Sequence, residues 1–155
     1  MTSYPDWAFF PRHLAPPPWI EEFNLTVKAS QSLIESSLHE RFDSDEVLQV
    51  LRDSLVEQGW LIEAGKKAAD KIFRPVLYGD RGKTKVNYEI DGWHPEHKSV
   101  LEIESGRGWQ GNAFYRDLVR TSLVQDAEYL IIGLRQSYSY GNVKNQNDYQ
   151  KALDQ

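Results

Sequence analysis

The spacing of apolar positions changes several times along the chain, and each change predicts an element. Trp19, Phe23, Val27, Ile34 and Leu38 fall at helical spacing over residues 19–40. A second helix starts at Asp43 or Ser44 as the cap, with Asp45 and Glu46 in its first turn. Its stripe is Val47, Leu48, Leu51 and Leu55, and Gly59 is its stop signal. Residues 60–63 read as a short strand. Residues 72–78 read as a second strand, where Pro75 marks an edge or irregular position. Tyr88-Glu89-Ile90-Asp91 and Val100-Leu101-Glu102-Ile103-Glu104 both alternate apolar with acidic, the period of a half-buried strand. The turn-rich residues 92–98 link them, so the two segments are expected to pair as an antiparallel hairpin. Ala113, Phe114, Leu118, Leu123 and Val124 then predict a helix over 112–124, with Asn112, Arg116 and Arg120 as its polar row. An apolar strand follows at 128–134.

Strand, helix and strand in that order make a βαβ unit, so the strands at 100–104 and 128–134 should run parallel. The expected fold is α/β (α+β): a mixed four- to five-stranded sheet flanked by helices, in a single domain spanning residues 1–155. Residues 1–18 hold Trp7, Phe9, Phe10 and five prolines, and are expected to lie across the domain or dock on a second copy. Residues 137–155 form a polar tail with a short helix expected at 148–153. The chain has no cysteine, which excludes thiol nucleophiles and thiolate metal sites and fits a cytoplasmic location. No signal peptide is expected, and the longest apolar runs are too short to span a bilayer.

Charge brings in the chemistry. The net charge of −5 gives no general attraction to nucleic acid, but the distribution is uneven. Strand alternation places Glu102 and Glu104 together on one face and Leu101 and Ile103 on the core face. On the partner strand Ile90 is expected inward, with Glu89 and Asp91 facing the same way as the glutamates. Carboxylates that close repel unless a proton or a cation intervenes. Hard divalent ions take oxygen ligands, which makes the patch a candidate metal site. Basic residues surround it in sequence: Lys66, Lys67, Lys71 and Arg74, then Arg81, Lys83 and Lys85, then Arg107, Arg116 and Arg120. His94 and His97, flanking Pro95, read as solvent-exposed turn residues. Tyr138 and Tyr140 read as a docked tail.

Asp91, then Glu102-Ile103-Glu104 in a hairpin, then an amphipathic helix and an apolar strand, resembles the PD-(D/E)XK nuclease superfamily, whose restriction-endonuclease-like core runs α-β-β-β-α-β. The resemblance covers roughly residues 44–134. It implies that Asp91 and Glu102 are metal-binding acids and that the Ile103 carbonyl is a backbone ligand. Glu104 stands where most members have lysine and would act as base or ligand. Lys66 or Lys67 would replace the missing lysine, and Glu57 would be the helix acid near the metal. Arg81, Lys83, Arg107, Gln110 and Arg116 are the residues expected to meet nucleic acid. The resemblance implies Mg²⁺ or Mn²⁺ as cofactor, and hydrolysis that leaves 5′-phosphate and 3′-hydroxyl ends. The implied partner is double-stranded DNA, with a homodimer as a possible assembly.

Three other readings stay open on sequence. The acids could be a solvated strand face. The domain could keep the fold and act without catalysis as a binding or assembly module. A metal-free pair of carboxylates could work as in glycoside hydrolysis.

Overall fold

The computed structural model describes residues 4–11, 13–38, 42–104, 112–140 and 143–154. The first helical stretch is α1 (Trp19–Ala29) followed by the single turn α2 (Gln31–Ile34), with Ser30 as the break between them. The expected continuous helix over 19–40 is therefore two. α3 (Ser44–Glu57) begins with reciprocal bonds: the Glu46 N–H donates to Asp43 Oδ1 at 2.9 Å and the Asp43 N–H to Glu46 Oε2 at 2.8 Å. It ends before Gly59, whose φ of 94° suits glycine and where a Cβ would sit 3.2 Å from the His94 ring.

The strands are β1 (Leu61–Ile62), β2 (Ile72–Tyr78), β3 (Thr84–Ile90), β4 (Gly92–His94), β5 (Ser99–Glu104) and β6 (Tyr129–Leu134), with α4 (Ala113–Leu123) between the last two. β7 (Tyr138–Tyr140) and β8 (Val143–Gln146) pair with each other, and α5 (Asp148–Leu153) follows. The main sheet is mixed and four-stranded, in the order β1-β4-β5-β6. β1 and β5 each run antiparallel to β4 between them, and β6 runs parallel to β5 as the βαβ reading requires. β2 and β3 form a separate antiparallel pair.

That pairing alters the expected hairpin. Residues 84–90 pair back onto β2, and the strand that pairs with β5 is the next three residues, Gly92–His94. Asp91 is the corner at which the chain leaves one sheet and enters the other. Gly92 permits the close approach of β1 there, because a Cβ would lie 2.7 Å from Ile62 Cδ1.

Both faces of the main sheet are covered. Leu101 and Ile103 pack with Ile62, Trp60, Phe23 of α1 and Leu48, Leu51 and Leu55 of α3. Val100, Trp93, Ile90 and Val124 form a second cluster with Ile72 and Val76 of β2. Ile90 thus faces the opposite core from Leu101, where the alternation argument put them on the same side. Residues 4–6 lie across the domain beside Phe23 and Leu134, and the Tyr149 hydroxyl bonds Asp6. No helix among the described residues is long and apolar enough to cross a membrane.

Candidate functional site: an acidic basin at the sheet corner

Gly92 pairs with Leu101, so one further step in the same register sets Asp91 opposite Glu102. Two strands pin the corner. The Asp91 carbonyl accepts from the Glu63 N–H of the β1 end at 2.9 Å, and Asp91 Oδ2 accepts from the Ile103 N–H at 2.7 Å. Glu102 and Glu104 share β5's second face with Val100, the face that α4 and the β2–β3 pair cover. They open with Asp91 and Ile103 into a cavity of about 360 Å³. Ser44 at the start of α3 and Glu89 of β3 form two of its walls, and Arg116 and Arg120 of α4 a third. Ile103 and Glu104 also border a second, mainly apolar cavity of about 270 Å³ on the α1 side.

Among the described residues the basin holds more negative charge than its cations offset. Burial above all, then the charges of Asp91, Asp117 and Glu104, push Glu102 up to about 9, while Arg120 pulls the other way. Burial likewise raises Asp91 to about 6 against the lowering effect of its bond from Ile103, with Glu63, Asp45 and Asp117 adding repulsion. Glu104 is raised to about 7 by burial, by a hydrogen bond shared with Asp117 and by that residue's charge, with Arg116 opposing. Arg116 closes this part of the site. Its Nη2 donates to Glu104 Oε1 at 2.9 Å and its Nε to Asp117 Oδ1 at 3.0 Å. Arg120 lies over the Tyr88 ring at 4.9 Å.

In kind, the donors suit a hard divalent ion, since all are oxygens and their repulsion is what such an ion relieves. Among the described residues no three Asp, Glu or His side chains stand together as an ion-holding group. Asp91 and Glu102 are the residues that could hold one, while Glu104 is engaged by Arg116 and Asp117.

The remaining residues expected at the site divide clearly. Glu57 is exposed at the far end of α3, about 20 Å along the helix from Ser44. The end of α3 that meets the basin is its N-terminus, where Asp45 acts on Asp91. Lys66 and Lys67 are exposed, and Lys66 pairs with Asp45 at 3.4 Å. The lysine that reaches the basin's edge is Lys71, bonded to the buried Glu63 and to Glu89 at 2.9 Å. Arg81 and Lys83 are exposed at the tip of the β2–β3 pair, outside the cavity lining. Arg107 and Gln110 lie outside the described residues. Neither histidine is a free turn residue. His94 is buried, accepts from the His97 N–H at Nδ1, bonds the Gln58 carbonyl through Nε2 and stacks on His97, which in turn stacks on Trp19.

Asp117 and Ser44 are the basin residues that the sequence did not single out as candidates for the chemistry. Asp117 left one trace, the row Ala113, Asp117, Thr121 at four-residue steps, which is small and polar and so reads as an outer face. Set against models of known protein families, curated proteins and solved structures, the chain matches none.

Proposed function

We propose that this chain is a divalent-metal-dependent endonuclease of the PD-(D/E)XK kind, hydrolysing phosphodiester bonds in double-stranded DNA. The observation that carries the reading is Asp91 at the corner one register step beyond the Gly92–Leu101 pair, opposite Glu102, with its carboxylate accepting from the Ile103 N–H. Element order supports it as well. α3, the meander β1, β4 and β5, then α4 and β6 follow the α-β-β-β-α-β order of the restriction-endonuclease-like fold, with β2–β3 as an insertion.

Asp91, Glu102 and the Ile103 carbonyl would hold Mg²⁺ or Mn²⁺. When bound, such an ion supplies an acidified water and offsets charge on the scissile phosphate. The chain's own residues do the rest. The Ile103 N–H fixes Asp91's orientation. Arg116 and Arg120 bring guanidinium groups to the same cavity, where a phosphate oxygen could be met by two donors. Glu104, in the position where most members have lysine, accepts a proton from the attacking water once Arg116 turns from it to the phosphate.

A second reading, a nuclease-fold module that binds without cleaving, is favoured by the Arg116–Glu104 pair, which closes that part of the basin. Supercoiled plasmid incubated with Mg²⁺ or Mn²⁺, against EDTA and against Asp91→Ala, tests the first. Nicking that needs both the metal and Asp91 is the expected result. Calorimetric metal binding with no nicking supports the module instead, and no metal binding at all removes the metal site from both.

A further inference from the structure

His94 and His97 join three elements at the Ser99 end of β5. His94 is buried, and both of its ring nitrogens are committed to backbone groups. Nδ1 accepts from the His97 N–H at 3.1 Å, and Nε2 lies 2.9 Å from the carbonyl of Gln58, the residue that ends α3. An amide N–H needs an acceptor and a carbonyl needs a donor, so the ring is the neutral tautomer with its proton on Nε2. The His97 ring stacks on His94 at 3.8 Å and on Trp19 of α1 at 4.7 Å, while Trp60 meets His94 edge-on. Gln58 also reaches α1, its Nε2 donating to Thr26 Oγ1 at 2.6 Å.

We propose that the His94–His97 pair is an acid-sensitive latch, whose protonation opens the β4–β5 turn and frees the Trp19 end of α1. A proton added to the His94 ring must go to Nδ1, where it would meet the His97 N–H with no acceptor between them. The ring can take that proton only by giving up the turn. Once the turn moves, the stack from His94 through His97 to Trp19 is broken.

The charges around the pair act in a known direction. Burial above all, then the charge of His94, hold His97 below the ordinary imidazole value of 6.5, while Glu96 of the turn and Glu22 of α1 pull the other way. The C-terminal end of α3 presents the Gln58 carbonyl. On the β6 side Tyr129 meets the Trp19 ring, and Lys98 is paired with Glu128. His97 therefore binds its proton less readily in the folded chain than in the unfolded one. Its contribution to stability is whole above 6.5 and is lost as the pH falls below that value. Glu102 acts in the opposite direction, weakening the fold as the pH rises. His94 pairs with Ser99, three residues and about 10 Å along β5 from Glu102, so the latch rests on neither the metal site nor the nuclease reading.

Nitrogen NMR of the full chain in EDTA, with labelled histidine and backbone amides, tests it. At about pH 8 His94 should carry its proton on Nε2. Between about pH 8 and about pH 5 the protection of the His97 amide against hydrogen exchange should fall at least about tenfold. The Trp19 indole signal should move with the same midpoint, while the Leu48 amide inside α3 keeps its protection. His94→Asn keeps an oxygen beside the His97 N–H and has no site for the proton, so its His97 protection should hold across the range. If that variant fails to fold, the wild-type titration decides, because the His94 ring should gain its second proton at the midpoint of the amide loss. A proton on Nδ1 at about pH 8, a His97 amide equally protected throughout, a loss shared equally by Leu48, or the same loss in His94→Asn would overturn the proposal.

Discussion

Replacing Glu102 by glutamine tests the basin's electrostatics directly. Glu102 has an ordinary value of 4.5 and is held at about 9 by burial and by its acidic neighbours. A carboxyl raised in the folded state costs nothing below its unfolded value, because it is protonated in both states. As pH rises from about 4.5 toward 9 the unfolded chain releases a proton that the folded chain keeps, so stability falls. At 1.36 kcal/mol per unit, that loss is about 1 kcal/mol at pH 5 and about 5 kcal/mol at pH 8. Glutamine keeps the neutral shape and has no such proton. Glu102→Gln should therefore exceed wild type in stability by about 4 kcal/mol more at pH 8 than at pH 5. For a chain of 155 residues this is a difference of roughly 10 °C in Tm. Thermal melts of both proteins in EDTA across this pH range measure it. A Tm difference independent of pH, or a variant weaker than wild type at pH 8, would show that the acids do not converge on Glu102. Millimolar Mg²⁺ adds a separate arm. It should raise the wild-type Tm more at pH 8 than at pH 6, since it displaces protons, and should raise that of Glu102→Gln far less.

Arg116→Ala leaves Asp117, 1% exposed in its side chain, without its charged partner, and should cost about 3 kcal/mol in urea unfolding. An unchanged midpoint would mean that Arg116 is a solvent-facing ornament of α4. Lys71→Met strands the buried Glu63 and should cost about 2 kcal/mol, whereas Lys66→Met should stay within about 0.5 kcal/mol. Equal effects would reverse the assignment of Lys71 as the basin's lysine. Leu101→Ala, at a fully buried position between the sheet and α3, should cost about 3 kcal/mol with no change in the pH dependence of stability.

Local chemistry made some of this legible in advance. The Asp43–Glu46 box fixes where α3 starts whatever packs on it, and the strand-helix-strand run of β5, α4 and β6 admits one handed connection, so the parallel pair followed. Partner choice was not legible. Residues 88–91 alternate identically whether they pair with β5 or with β2, and only Gly92, by admitting Ile62, shows where the chain changes sheets. Parity misled at Ile90 because it assumes one buried face, and this sheet has a core on each. The inward side of α4 was misassigned for a related reason. Amphipathicity predicts apolar toward the core, yet the surface that α4 covers is the acidic basin, which calls for Arg116 and Arg120.

That inversion also bears on what the basin is for. A purely structural ion network matches its charges nearly one to one, because an unpaired buried carboxylate costs several kcal/mol. Buried Glu63 meets this condition through Lys71, whose other partner, Glu89, is half-exposed. Asp91, Glu102, Glu104 and Asp117 do not, for among the described residues they face only Arg116 and Arg120. Protons cover the shortfall, most of all on Glu102, and that arrangement weakens the fold increasingly as the pH rises above the ordinary carboxylate range. Under the proposed reading, a cation from solution would remove the cost by taking the protons' place between Asp91 and Glu102. Neither the stability of the sheet nor the packing of α4 requires the excess acid, and the Mg²⁺ arm of the Glu102→Gln melts asks whether a divalent ion relieves it.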